Sequence, residues 1–379
     1  MSVVLYAASR EFVPLYAVYA LLFRDSGLSV AQISSLFAIW TLVSFVLEVP
    51  SGALADVVSR RLLLVIAALL AAASFGTWIL VPTYLGFAVG FVLWGIGGAL
   101  QSGTFEALIY DALARDGRTS SYAGLAGTAE AASTTSTLVA LLVASPLLAT
   151  GSFELVGWAS VGAAMIAALL ARRLPNPPRG LSERDSDGQS DDEPGWLDAL
   201  RSGTAEVVAS RAVARGVMLV AAVAGVLVVD EYTPLIADDL GAPTETIPLL
   251  LAIPMVGQIV GTALAGRAAR ASSRTTAAMV VVAAAGLAVV ASVGSVGAFV
   301  ALGVTTGILW ALSIVAEARL QDAITGRSRA TVMSVAGVAS EGAGLLVVGW
   351  YAVGPSPVTA TALLAVATVL LIVLAREPR

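Results

Sequence analysis

Glu106-Ala107-Leu108-Ile109-Tyr110-Asp111-Ala112, followed by Arg118 and Glu130, returns later in the chain as Glu317-Ala318-Arg319-Leu320-Gln321-Asp322-Ala323, followed by Arg329 and Glu341. Each of the six shared residues lies 211 positions from its copy, with no gap. Both copies sit in stretches apolar enough to cross a bilayer, where a carboxylate is costly and seldom persists without a partner or a role. The chain therefore reads as a duplicated membrane bundle that carries charges inside it.

Composition points the same way. Hydrophobic residues make up 58% of the chain and charged residues only 12%, with a mean hydropathy of +0.89, far from an ordinary soluble domain. The chain has no cysteine, which excludes disulfides and thiolate metal sites, and no histidine, the usual proton carrier near neutral pH. Proton coupling would have to use carboxylates. All 21 basic residues are arginine, whose charge is permanent. The net charge of -5 says little about partners, because much of the acid is gathered in one loop.

A helical span needs about 20 mostly apolar residues. Twelve segments meet this, near 2–23, 30–50, 61–81, 83–113, 120–149 and 152–172, then 212–236, 246–266, 273–293, 295–324, 329–353 and 356–375. Continuous apolar runs without ten-residue alternation favour helices over a barrel. The expected fold is thus all-α, with twelve transmembrane helices in two six-helix bundles. The first segment contains Arg10-Glu11 and no small-residue cleavage motif, so it is not read as a removed signal peptide. Apart from Arg10, Arg319 and Arg24, the arginines gather at the even-numbered connections, the span ends beside them and the C-terminus. The positive-inside rule then places both termini in the cytoplasm, and the expected location is the inner membrane.

Residues 174–211 break the pattern. They open with Leu174-Pro175-Asn176-Pro177-Pro178, where proline ends a helix, and continue through Asp191-Asp192-Glu193, a linker composition. From Trp196 to Val208 a weakly amphipathic pattern suggests a short surface helix. This gives a bundle over 1–173, a cytoplasmic linker over 174–211 and a second bundle over 212–379. Other stretches match across the linker: Arg10-Glu11-Phe12-Val13-Pro14-Leu15 with Asp230-Glu231-Tyr232-Thr233-Pro234-Leu235, and Gly27 and Ile33 with Gly241 and Ile247. Two halves of six spans in one orientation imply a pseudo-twofold axis along the membrane normal.

With this layout the chain resembles the major facilitator superfamily. The loop after the second span reads Gly52-Ala53-Leu54-Ala55-Asp56-Val57-Val58-Ser59-Arg60-Arg61, similar to that family's Gly-x-Leu-Ala-Asp-Arg-x-Gly-Arg-Arg signature. Glu48-Val49-Pro50-Ser51 resembles the version found in drug-exporter-like, proton-coupled antiporters. Val57 and Ser59 depart from the signature, and the second-half counterpart Ala265-Gly266-Arg267-Ala268-Ala269-Arg270 lacks the aspartate.

The resemblance implies an inner gate built on Asp56, Arg60 and Arg61, although those arginines would equally serve to fix topology. Glu106, Asp111 and Arg118, with Glu317, Asp322 and Arg329, fall at the same ends of their spans and are read as part of that network or as structural ion pairs. Deeper charges bear on transport. Glu130 lies roughly ten residues inside span five, near the midplane at about 1.5 Å per residue, with Ser133, Thr134 and Thr137 on its face; Glu341 takes the equivalent place in span eleven. Both are proton-coupling candidates, or buried hydrogen-bonding groups. The family's fold sets spans one, four, seven and ten around a cavity, so Arg10, Glu11, Asp230 and Glu231 are expected to face it, the three acids as further coupling candidates and all four as substrate contacts. Pro14 and Pro234 permit kinks beside them. Tyr16, Trp40, Trp94, Tyr232 and Trp310 are candidate aromatic walls, with Tyr6 beside them, and Gln101 and Gln258 are further polar contacts; each aromatic would equally serve as packing.

Nothing resembles a nucleotide-binding P-loop, so an ion gradient must drive uphill movement. The expected function is secondary active transport, a proton-coupled export of a small amphipathic or cationic organic compound by alternating access. Uptake or flipping of an anionic or lipid-like substrate on Arg10 is one alternative, and a non-transporting sensor or assembly partner another. The expected partners are a small-molecule substrate, protons and lipid, with no nucleic acid, no cofactor and no metal. The chain is expected to act as a monomer and not as an enzyme.

Overall fold

The computed structural model describes residues 1–150, 152–176, 207–270, 272–324 and 329–369. Most of the 174–211 linker and of its expected surface helix lies outside the described residues. Among the described residues the chain is helical and contains no strand. It divides into two compact units, Met1–Asp191 and Asp192–Arg379.

The first unit holds α1 (Ser2–Glu11), α2 (Tyr19–Asp25), α3 (Val30–Val57), α4 (Arg60–Leu80), α5 (Tyr84–Gln101), α6 (Thr104–Arg115), α7 (Tyr122–Ala149) and α8 (Phe153–Ala171). The second holds α9 (Arg211–Leu227), α10 (Val229–Asp239), α11 (Ile247–Ala268), α12 (Ser273–Val293), α13 (Phe299–Ala323), α14 (Arg329–Val353) and α15 (Pro357–Val369). Ten stretches are long and apolar enough to cross a membrane. The other two expected spans are the broken segment at residues 2–25 and the shorter apolar helix Pro357–Thr368. Helix starts are set by hydroxyl side chains that accept the first free N–H groups, at Ser29, Ser59, Thr83, Ser152, Ser210 and Ser272.

The duplication is visible in the backbone. Gly27 and Gly241 both take positive φ, 86° and 78°, and each closes a helix by the same pair of bonds. Gly27 donates to the Arg24 carbonyl and Leu28 to Phe23; Gly241 donates to Asp238 and Ala242 to Ala237. Only glycine takes this left-handed turn without a Cβ penalty.

Three expected spans are interrupted. Span one breaks after α1, where Val13 N–H donates to the Glu11 carbonyl and Phe12 adopts φ -79°, ψ 76°, an inverse γ-turn. Pro14 has no N–H to return to the Arg10 carbonyl four residues earlier, so the helix cannot continue. Leu15 N–H instead donates to Ser160 Oγ on α8 at 2.9 Å. Span four breaks between α5 and α6 at Gly103, which has φ 67°. Its copy in α13 is Ile314, a residue that cannot adopt that conformation cheaply, and there the helix runs through. Span seven breaks at Val228, six residues before the kink expected at Pro234, which lies inside α10.

Helix association in a bilayer relies on close contact rather than on hydrophobic burial. In the second unit α11 and α13 meet through glycine, where a Cβ added at Gly257 would lie 1.9 Å from the Gly303 carbonyl oxygen, and one at Gly261 would lie 1.9 Å from that of Gly307. In the first unit the equivalent helices, α3 and α5, meet through Gly95 against Val43, beside the stacked Trp40 and Trp94.

Candidate functional site

Each break delivers polar side chains. Arg10 and Glu11 end α1, Gln101 ends α5, and Asp230 and Glu231 open α10. Interrupted helices are where polar backbone is tolerated at membrane depth, because it lines a cavity or is covered by protein.

In the first unit these groups converge. Arg10 Nε lies 3.3 Å from Glu11 Oε1, both side chains half-buried. The Arg10 guanidinium carbon stands 4.7 Å from the centre of the Phe105 ring, a cation–π contact with α6. Arg10 Nε is buried and makes no hydrogen bond, so the pair with Glu11 is one of charge rather than alignment. Glu130 lies within electrostatic range of Glu11. Its position follows from the packing of α7 on α1, where buried Ser133 Oγ donates to the Ala7 carbonyl at 3.0 Å. Thr137 turns back onto the Ser133 carbonyl, and the Glu130 side chain is exposed. The Tyr6 hydroxyl donates to Gln101 Oε1 at 3.5 Å, and its ring packs on Phe105.

Beside Arg10 and Glu11 lies a cavity of about 60 Å³. Tyr16 and Trp94 form one wall, and Gln101 lines it as well. Phe75, edge-on to Tyr16, also lines it, and Val13, alanines of α4 and α8, and Gly97 and Gly98 of α5 complete the lining. A single water needs roughly 10–15 Å³ on this scale. The space therefore suits a group about the size of one six-membered ring. Tyr16 stacks on Trp94 at 5.2 Å and 24°, and Trp94 on Trp40 at 5.1 Å and 17°. Trp40 belongs to that stack but does not line the cavity.

In the second unit Asp230 lies within electrostatic range of Glu231, and the Trp310 indole N–H approaches its carboxyl without the alignment of a full hydrogen bond. Tyr232 is fully buried and stacks on Tyr351 at 3.7 Å and 9°, so it is packing rather than an open wall. The Tyr351 hydroxyl is hydrogen-bonded to Thr361 Oγ1. Gln258 is half-buried on α11, and Glu341 is exposed on α14.

At the loop-motif end of the first unit Arg60 is hydrogen-bonded to Asp111 as an ion pair. Glu106 and Arg118 are exposed there, as are their copies Glu317 and Arg329, together with Asp322. Arg61 is half-buried. The side chain of Asp56 lies outside what the structure describes. Sequence reasoning passed over Phe105, Gly98, Gly103 and Ser160. The Ser102-Gly103 pair was a legible break signal, whereas a phenylalanine or an alanine wall in an apolar span carries none.

The interrupted helices, apolar surface and internal charges define a membrane transporter rather than an enzyme. The Major Facilitator Superfamily model matches residues 1–349, and the chain belongs to that family. The chain is similar in fold to the nucleoside transporter NupG, at 14% identity and a TM-score of 0.76, covering 99% of this chain and 98% of that one. It is likewise similar to a bacterial homologue of the iron transporter ferroportin in an inward-facing state (14%, TM-score 0.72, 99% and 98%). A D-xylose-proton symporter matches at 17% identity and a TM-score of 0.70, covering 99% and 97%. No curated protein matches the chain in sequence.

Proposed function

We propose that this secondary transporter is a proton-coupled exporter of small organic cations, working by alternating access as a monomer in the inner membrane with both termini cytoplasmic. The observation that carries this reading is the charge balance around Arg10 and Glu11, which line the first-unit cavity, with Glu130 outside its lining. Arg10 supplies one positive charge, and Glu11 with Glu130 supplies two negative charges within interacting range. The surplus of one carboxylate can be neutralised by a proton or by a monocation, and either species relieves the same repulsion. Occupancy by one then disfavours the other, which is the differential interaction that exchange requires. Asp230, Glu231 and Glu341 extend the acidic set in the second unit, and Asp56 with Arg60 and Arg61 is assigned the inner gate.

Proteoliposomes with an imposed pH gradient test the assignment. Wild-type protein should accumulate a labelled organic cation against its gradient, with counterflow of protons. Glu130→Gln and Glu341→Gln, singly and together, should reduce gradient-driven accumulation at least tenfold for the coupling residue while leaving downhill exchange intact. Full accumulation in the double variant would move coupling to Glu11, Asp230 or Glu231. A cation-dependent flux that carries no protons would end the coupled reading, and no flux at all would favour a sensor.

A further inference from the structure

We propose that the loop-motif end of the first unit binds one anionic phospholipid, a diphosphatidylglycerol, at the seam of α4 and α8, with its phosphates on Arg61, Arg172 and Arg173 and its chains along the outer face of α8. The inference goes beyond the transport reading and does not depend on which compound is carried.

The sequence of α8 sets up the site. Trp158, Met165, Ile166 and Leu169 recur at helical spacing and are all exposed, so one face of the helix is an apolar stripe that the rest of the unit leaves uncovered. The helix has 19 residues, roughly 28 Å at about 1.5 Å per residue, close to the ~30 Å of a hydrocarbon core. Arg172 and Arg173 follow directly, at headgroup depth. The chain closes α8 in a tight turn, with Arg173 N–H donating to the Leu170 carbonyl and Leu174 N–H to that of Ala171. This buries Leu174 and leaves both arginines exposed.

The third charge comes from α4. Leu64 shares a buried cluster with Ala171 and Leu174, and Ser59 Oγ donates to Asn176 Oδ1 at 2.9 Å, so the start of α4 is fastened to the end of α8. Arg60 meets Asp111 on α6. Arg61 lies one position further round the helix and shares its side with Ala68 and Ile79, which pack on Ala167, Ala168 and Gly157 of α8. It therefore stands on the α8 side of α4, at the same edge as Arg172 and Arg173.

The charges at this edge are uncompensated. Arg60 and Arg115 each have an aspartate, whereas among the described residues none of Arg61, Arg172 and Arg173 is paired with an acid. Arginine holds a phosphate through parallel N–H groups, and its charge is permanent. Three such charges beside an uncovered apolar face fit a ligand that joins phosphates to long chains, and a lipid with two phosphates balances them better than one with a single phosphate. A soluble phosphate would leave the stripe bare.

Lipid titrations into the delipidated full chain in a neutral detergent test this, with native mass spectrometry counting bound lipids and thermal unfolding reporting their strength. Tetraoleoyl diphosphatidylglycerol should bind as one tight copy, roughly tenfold ahead of dioleoylphosphatidylcholine, and the advantage should shrink as salt rises from about 50 to about 300 mM. Arg172→Gln and Arg173→Gln should each weaken the tight copy roughly fivefold, and the triple variant with Arg61→Gln should bring it to the phosphatidylcholine level. Arg172 and Arg173 are exposed, so their single variants keep the fold and the test stands even where the triple variant does not. Arg267→Gln, Arg270→Gln and Arg274→Gln together remove the same charge from the second unit and should leave the tight copy in place. Equal affinity for the two lipids, several equivalent copies with no tight one, an equal loss in the second-unit variant, or displacement by millimolar inorganic phosphate would each overturn the proposal. Tight binding that appears only after Glu183, Asp185, Asp187, Asp191, Asp192 and Glu193 are neutralised would give the arginines to the chain's own linker, and would overturn it as well.

Discussion

Arg60 illustrates how far single residues can be read. The loop motif singles it out, yet the sequence leaves open which acid it meets. The structure pairs it with Asp111 on α6, with about a quarter of each side chain exposed. Solvent screening at such a site limits an ion pair to about 1 kcal/mol or less. Asp111→Asn should therefore cost no more than about that in thermal unfolding, and Arg60→Ala somewhat more, because Arg60 has a further interaction. The double variant should lose less than the two single losses combined; strict additivity in that cycle would show the pair to be uncoupled. Arg10 and Glu11 were legible for the same reason as Arg60, since a charge in an apolar span stands out. Phe105 was not, because its role depends on a guanidinium arriving from a helix almost a hundred positions earlier.

Among the helices, the boundaries of the regular ones follow from hydropathy and hydroxyl caps, and the interrupted ones do not. Pro14 signalled a kink, and the structure shows a full break beside it at Phe12–Val13. The break at Val228 precedes its proline by more than a turn, and the one at Gly103 rests on a glycine that other glycines in the same spans do not imitate. The contact of α11 with α13 was also hidden, although both helices carry glycines four apart. Periodicity shows that such a stripe exists and cannot show what faces it. Gly257→Ala should destabilise the protein by about 1–3 kcal/mol, since the new methyl meets backbone and not a movable side chain. Gly349→Ala, on an exposed part of α14 with open space around it, should be neutral or raise stability by up to about 1 kcal/mol from helix propensity. Melting curves of the two variants in detergent check the contrast, and a Gly257→Ala protein as stable as the wild type would mean that the helices do not touch there.

For the whole molecule, orientation rests on arginine placement. The chain has no cysteine, so single cysteines can be introduced without removing any. A cysteine at Glu245, in the turn before α11, should react with a membrane-impermeant thiol reagent added outside intact cells, and one at Arg115, at the end of α6, only after the membrane is opened. The reverse pattern would invert the topology. A two-part chain was legible as an expectation, because six matches share one offset of 211 positions and a linker composition lies between the copies. The differing helix contacts of the two units were not, since a repeat announces likeness and hides divergence.

The glycine contact of α11 and α13 bears on that divergence. Positions 257, 261, 303 and 307 are held where any added carbon meets the opposite backbone, while their counterparts Val43, Leu47, Val92 and Ile96 carry ordinary side chains that can be exchanged for others of similar bulk. Two copies that began alike thus inherited unequal freedom to mutate. At this pair of helices the first unit can drift in sequence where the second cannot, although Gly86 and Gly90 hold α5 to the same rule elsewhere.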